Sequence, residues 1–141
     1  MPESRDLRAA RVCLADAEAR LESAEGLMRL TEGLGRLTDV LETGNPAEAR
    51  TAGNLAASYA GRCYERVRKE LAQDPQMPEP KLEHYFKVVL AFDQVAGALP
   101  PSAGELKIAV AEALVDRYYE GHPPAKKRAV LEQLAALKPP R

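Results

Sequence analysis

Leucine or methionine recurs every seventh residue at Leu7, Leu14, Leu21 and Met28, with alanine at the complementary positions Ala10, Ala17 and Ala24. A seven-residue repeat of this kind gathers on one side of the chain only if the chain is an α-helix. A second ladder, Leu27, Leu30, Leu34, Leu37 and Leu41, continues with spacings that alternate between three and four, displaced by one position from the first. The acid-before-base pairs Asp16–Arg20, Glu25–Arg29 and Glu32–Arg36 are spaced i,i+4, the favourable order on a helix. The whole stretch 4–42 reads as one long helix, with Gly26, Gly33 and Gly35 marking where it can bend, because glycine weakens a helix by up to ~1 kcal/mol relative to alanine.

The rest of the chain carries the same period. "TGNP" (43–46) ends the first segment and starts another, with Asn45 as cap, Pro46 at the first helical position and Glu48 three residues after the cap. Proline-rich "QDPQMPEP" (73–80) and "PPSAGE" (100–105) separate the later segments, and Ser102 and Glu105 read as a second capping box. The expected helices are 4–42, 46–72, 81–99, 103–120 and 124–137. No stretch alternates with the two-residue period of a half-buried strand. The fold class is therefore all-α: one domain over 1–141, an antiparallel bundle of four to five helices with a long N-terminal helix. With no Trp and few other aromatics, its core must be filled by Leu, Val and Ala. "LETGNPAEAR" (41–50) resembles the helix joins of tetratricopeptide-like repeats, but the repeat period of about 34 residues is not sustained along the chain.

Geometry turns the first helix into an argument about partners. As one straight rod it would reach about 58 Å, more than the other helices can cover. An uncovered stripe of Leu7, Leu14, Leu21 and Met28 is an apolar surface that a lone chain would not tolerate well. Either the helix bends back on itself near Gly33 and Gly35, or its seam packs on another chain; homodimerisation through an antiparallel coiled-coil seam is the expectation.

Charge narrows the function classes. The formal net charge is −1, which argues against nucleic-acid binding, whose affinity comes from a basic excess that displaces counterions. Residues 14–48 nevertheless carry eight acids against three arginines, and residues 50–69 carry five basic residues against one acid. Neighbouring helices of opposite charge complement one another. Arg62, Arg66 and Lys69 form one basic stripe at i, i+4 and i+7, which reads either as a face paired to the acidic first helix or as a site for an acidic or helical protein partner. The charged N-terminus lacks the apolar core of a signal peptide, and no apolar run approaches the ~20 residues of a membrane span. The expected location is cytoplasmic.

Catalytic and metal motifs are missing from the sequence. Neither His84 nor His122 has a glutamate three residues before it, so the di-iron bundle pattern is absent. A zinc site from Cys13, Cys63, His84 and His122 would need four remote segments to converge, without the paired spacing such sites show. There is no phosphate-cradling Gly-Lys-Ser/Thr loop and no Gly-x-Ser-x-Gly elbow. The sequence thus gives no catalytic, cofactor or metal residues, and the balance lies against an enzyme. The leading expectation is a non-enzymatic protein–protein interaction module (adaptor, chaperone-like or regulatory), self-associating through Leu7, Leu14, Leu21 and Met28, with Arg62, Arg66 and Lys69 facing a partner. The alternative is a bundle that binds a small ligand or catalyses a reaction between its helices, with Tyr59, Arg62, His84 and Tyr118 as polar candidates and Tyr85, Phe86, Tyr118 and Tyr119 as pocket-lining aromatics. "YEGHPPAKKR" (119–128) reads as a hinge, with Gly121 ending one helix, Pro123 and Pro124 starting the next, and Lys126–Arg128 as a basic edge.

Overall fold

The computed structural model describes residues 3–120, 128–130 and 132–133, and it is helical with no strand among them. Over residues 5–118 the α-helices follow in order: α1 Arg5–Ala19, α2 Ala24–Thr43, α3 Pro46–Gln73, α4 Glu79–Ala91 and α5 Pro101–Tyr118. A 3₁₀ segment, Phe92–Ala98, continues from α4. No helix among the described residues is long and apolar enough to cross a membrane. Most of the expected hinge at 119–128, and most of the helix expected at 124–137, lies outside the described residues.

The single long N-terminal helix is the main correction. The chain leaves the helix at Arg20 and re-enters it at Ala24, where the Ser23 side chain caps α2 by accepting from the Gly26 amide at 2.9 Å. The break falls at 20–23 rather than near Gly33 and Gly35, and it makes a tight antiparallel hairpin. Asp6 pairs with Arg36, Asp16 pairs with Arg29, and Leu14 packs over Gly33, so positions pair in opposite directions along the two helices. Gly33 and Gly26 serve close approach, not bending. A Cβ on Gly33 would lie 2.9 Å from Leu14 Cγ and 3.1 Å from Cys13 Cβ; one on Gly26 would lie 1.9 Å from the Arg20 carbonyl oxygen.

The hairpin also removes the premise of the dimer seam. Leu7, Leu14 and Leu21 are at most 1% exposed, buried within the chain's own core, while Met28 is 70% exposed. Met28 belongs to α2, whose phase is reset at Ser23; the buried positions there are Gly26, Leu30, Gly33, Leu34, Leu37 and Val40. The seven-residue stripe is therefore not one surface, and three of its four members are already covered.

The 28-residue α3 meets the expectation at its start, where Asn45 Oδ1 accepts from the Glu48 amide at 2.9 Å and Pro46 follows. Its buried arc is Ala52, Ala56, Ala60, Cys63, Tyr64, Val67 and Leu71. Tyr59 is only half-buried, and Tyr64, with its ring edge-on to Phe92 at 5.4 Å, takes the interior place. The helix expected at 81–99 tightens after Ala91. Phe92 and Val95 are both buried, and a 3₁₀ turn stacks residues i and i+3 on one side. At α5 the cap lies at Pro100, with Pro101 in the first turn, so the box expected at Ser102 is not used.

None of α1, α2, α3 or α4 carries a basic residue in its last turn. Donors from other helices reach two of these carbonyl ends. Arg66 of α3 donates to the Glu18 carbonyl at 2.6 Å, and His84 Nε2 of α4 donates to the Leu21 carbonyl at 2.8 Å. Arg117 of α5 donates to the Leu71 and Asp74 carbonyls at the end of α3, at 3.3 and 2.8 Å. Positive charge from Arg66 and Arg117 at these ends complements the negative pole of the helix and satisfies carbonyls that helix geometry leaves without partners, while His84 holds a carbonyl of the α1–α2 turn. The basic side chains thus lock the helices to one another.

Three neutral acids lie deep in this core. Burial pushes the Cys63 thiol up to about 12 and raises the Tyr64 phenol; burial and the Glu70 carboxylate raise the Tyr85 phenol. The folded chain keeps these protons where an unfolded chain would release them, so stability is intact below about pH 9 and falls as pH rises towards 12. Cys63 alone should account for about 3 kcal/mol of loss by about pH 11. Denaturant titrations at pH 8 and 11 on the wild type and Cys63→Ala should show a smaller pH loss in the variant; an equal loss would place Cys63 in contact with water.

Candidate functional site

The expected partner residues are mostly engaged inside the chain. Arg62 pairs with Glu18 at 3.0 Å and stacks over the Tyr59 ring at 4.3 Å; Arg66 pairs with Glu22 at 3.0 Å as well as capping α1. The acidic surface that the basic stripe selects is the chain's own α1 and the turn after it. Lys69 is exposed on the same helix. The polar candidates for an interior site do not converge either: Tyr59 lies under Arg62, His84 is spent on the Leu21 carbonyl, and Tyr118 donates to Glu83 at 2.9 Å. Cys13 and Cys63 are buried free thiols, and His122 lies outside the described residues. Among the described residues no three His, Cys, Asp or Glu side chains come together as metal ligands would.

What the structure does assemble is an apolar groove of about 300 Å³ between α4 and α5. Leu82 and Phe86 line it from α4, and Leu114, Val115, Tyr118 and Tyr119 line it from α5. Spacing explains the two walls: 82 and 86, 114 and 118, and 115 and 119 are i,i+4 pairs, each pair on one helix face. Leu82, Leu114 and Val115 form its floor, being at most 4% exposed, while Phe86, Tyr118 and Tyr119 are half-buried and reach its opening. The rings of Tyr118 and Tyr119 meet edge to face at 5.0 Å. Glu83 and Lys87 supply the polar lining, and the Glu83 carboxylate, bonded to the Tyr118 hydroxyl, raises that phenol. Val130, which follows α5 in the sequence, completes the lining.

Both walls are held in place. His84 ties α4 to the α1–α2 turn, and Arg117 ties α5 to the end of α3. Of the aromatics expected to line a pocket, Phe86, Tyr118 and Tyr119 do so; Tyr85 points instead into the core, with its hydroxyl on Glu70. The sequence offers three of the groove's aromatics but not the groove as a unit, because nothing in it says that α4 and α5 lie side by side. Set beside known proteins, the chain matches no family model, no curated protein and no solved structure.

Proposed function

We propose that the protein is a non-enzymatic helical interaction module that takes up an amphipathic helix of a partner protein in the groove between α4 and α5. The apolar groove, with aromatic side chains at its opening, is the observation that carries this reading. A groove between two helices receives a third helix through apolar anchors at i, i+3 or i+4, and i+7, and desolvated aromatics supply much of the energy in such contacts. Glu83 and Lys87, of opposite sign on the same helix, give the partner a preferred direction. The five helices, arranged as an antiparallel bundle, keep both walls rigid, so the groove does not have to form when the partner arrives.

Selection of helical peptides from a displayed library on the full-length chain tests this. Peptides with aliphatic residues on one helix face should be enriched, and Phe86→Glu should weaken their binding at least about tenfold while leaving helicity intact, a change of about 1.4 kcal/mol. No enriched helical peptide, or binding indifferent to Phe86→Glu, would sink the proposal.

A further inference from the structure

We infer that the chain carries its own occupant for this groove: the C-terminal stretch from Arg128 onward, whose sequence carries Val130, Leu131 and Leu134. Docked in the groove, it competes with a partner helix. This competition rests on the interaction reading above; the docking itself does not.

The starting observation is Val130. It lies beyond α5 in sequence, yet it lines the groove and packs against the core. Residues 128–130 and 132–133 are helical. Arg128, Ala129, Glu132 and Gln133 are exposed, whereas Val130 is half-buried. At 100° per residue those four exposed positions occupy one arc of a helix, and Val130 lies on the opposite one. A helix continued at the same period would put positions 131 and 134 on Val130's side, with 137 near its edge. The sequence has leucine at all three. Val130 thus meets the groove while Arg128, Glu132 and Gln133 meet solvent, and a helix continued at the same period would bring the three leucines to Val130's side.

Length agrees as well. From Val130 to Leu137 a helix advances about 10 Å, and the groove walls, 82–87 and 114–119, are each about 7.5 Å long. Pro139 and Pro140 follow and would end such a helix. A tethered segment is present at an effective concentration of the order of millimolar, so even a modest contact keeps the groove filled and reduces a partner's apparent affinity. The groove's preferred partner would then present the same pattern as this segment: aliphatic residues at i, i+1 and i+4.

The protein has no tryptophan, so Leu134→Trp in the full chain introduces the only indole. Its emission should be that of a shielded ring, protected from iodide and independent of protein concentration, while Gln133→Trp should behave as a hydrated ring. Adding Phe86→Glu to Leu134→Trp, or Phe86→Ala if the glutamate compromises folding, should move the emission towards the hydrated value. In parallel, Leu131→Glu combined with Leu134→Glu should bind the selected helical peptides at least about tenfold tighter than wild type. A hydrated indole at 134 would overturn the inference and leave the peptide reading intact. So would burial that appears only at high concentration, since it would mean a second copy, or burial insensitive to Phe86. If no peptide is selected but Leu134→Trp behaves as expected, the docking stands and the interaction reading falls.

Discussion

Gly26→Ala should destabilise the protein by about 1.5–5 kcal/mol, although alanine is the better helix former by up to ~1 kcal/mol. The reason is backbone, not side chain. A methyl at this position would sit 1.9 Å from the Arg20 carbonyl oxygen and 2.6 Å from its carbon, so no rotamer change relieves the clash. The turn between α1 and α2 must open, and opening it pulls the Gly26 amide off the Ser23 hydroxyl, 2.9 Å away. Overpacking costs about 1–3 kcal/mol and a lost N-cap about 0.5–2 kcal/mol, which gives the range. Gly61→Ala is the matched control. It lies inside α3 with nothing within 4 Å of the added methyl, so it should stabilise by about 0.5–1 kcal/mol. Denaturant midpoints for the two variants should therefore shift in opposite directions. A gain in both would mean that the α1–α2 turn is looser than this structure has it.

That glycine marks the limit of what the sequence discloses. The helical class, the start of α3 at Asn45 and Pro46, and the proline-rich joins are written in local signals: period, cap and missing amide. The break at 20–23 was also written, as the one-position displacement between the ladder ending at Met28 and the ladder beginning at Leu27. It reads as a continuous helix because the apolar residues overlap there, and because Ser23 is followed three residues later by Gly26 where a capping box would have glutamate. The glycines look like bend points, since glycine costs helix stability, whereas Gly33 exists to admit Leu14 of the other helix. Which helix lies beside which is a tertiary fact. The charge complement between residues 14–48 and 50–69 pointed to α1 and α3 as neighbours, and the Arg62–Glu18 and Arg66–Glu22 pairs realise it. Nothing comparable announces α4 beside α5, so Phe86, Tyr118 and Tyr119 read as pocket-lining aromatics without the aliphatic floor that makes the groove. Tyr59 and Tyr64 both lie near the apolar arc of α3, and the position of Phe92 decides that Tyr64 goes inside.

Leu14→Asp distinguishes the closed hairpin from an open seam more sharply than any other substitution. Leu14 is fully buried against Gly33, so its replacement loses the packing of a core leucine, about 2–5 kcal/mol for truncation alone. It also places a carboxylate where water cannot follow, at a further cost of several kcal/mol unless the group takes up a proton. Together these approach the whole stability of a domain, typically about 5–15 kcal/mol. The expected result is loss of cooperative melting by circular dichroism. Met28→Asp occupies the same place in the seven-residue repeat and should change stability by no more than about 0.5 kcal/mol, because that side chain is 70% exposed on α2. A seam shared between two chains predicts something else: both variants would leave a folded helical chain of half the parental mass by light scattering. Such a pair of results would require Leu14 to face a second copy, and the α1–α2 hairpin could not then be the form the protein takes in solution.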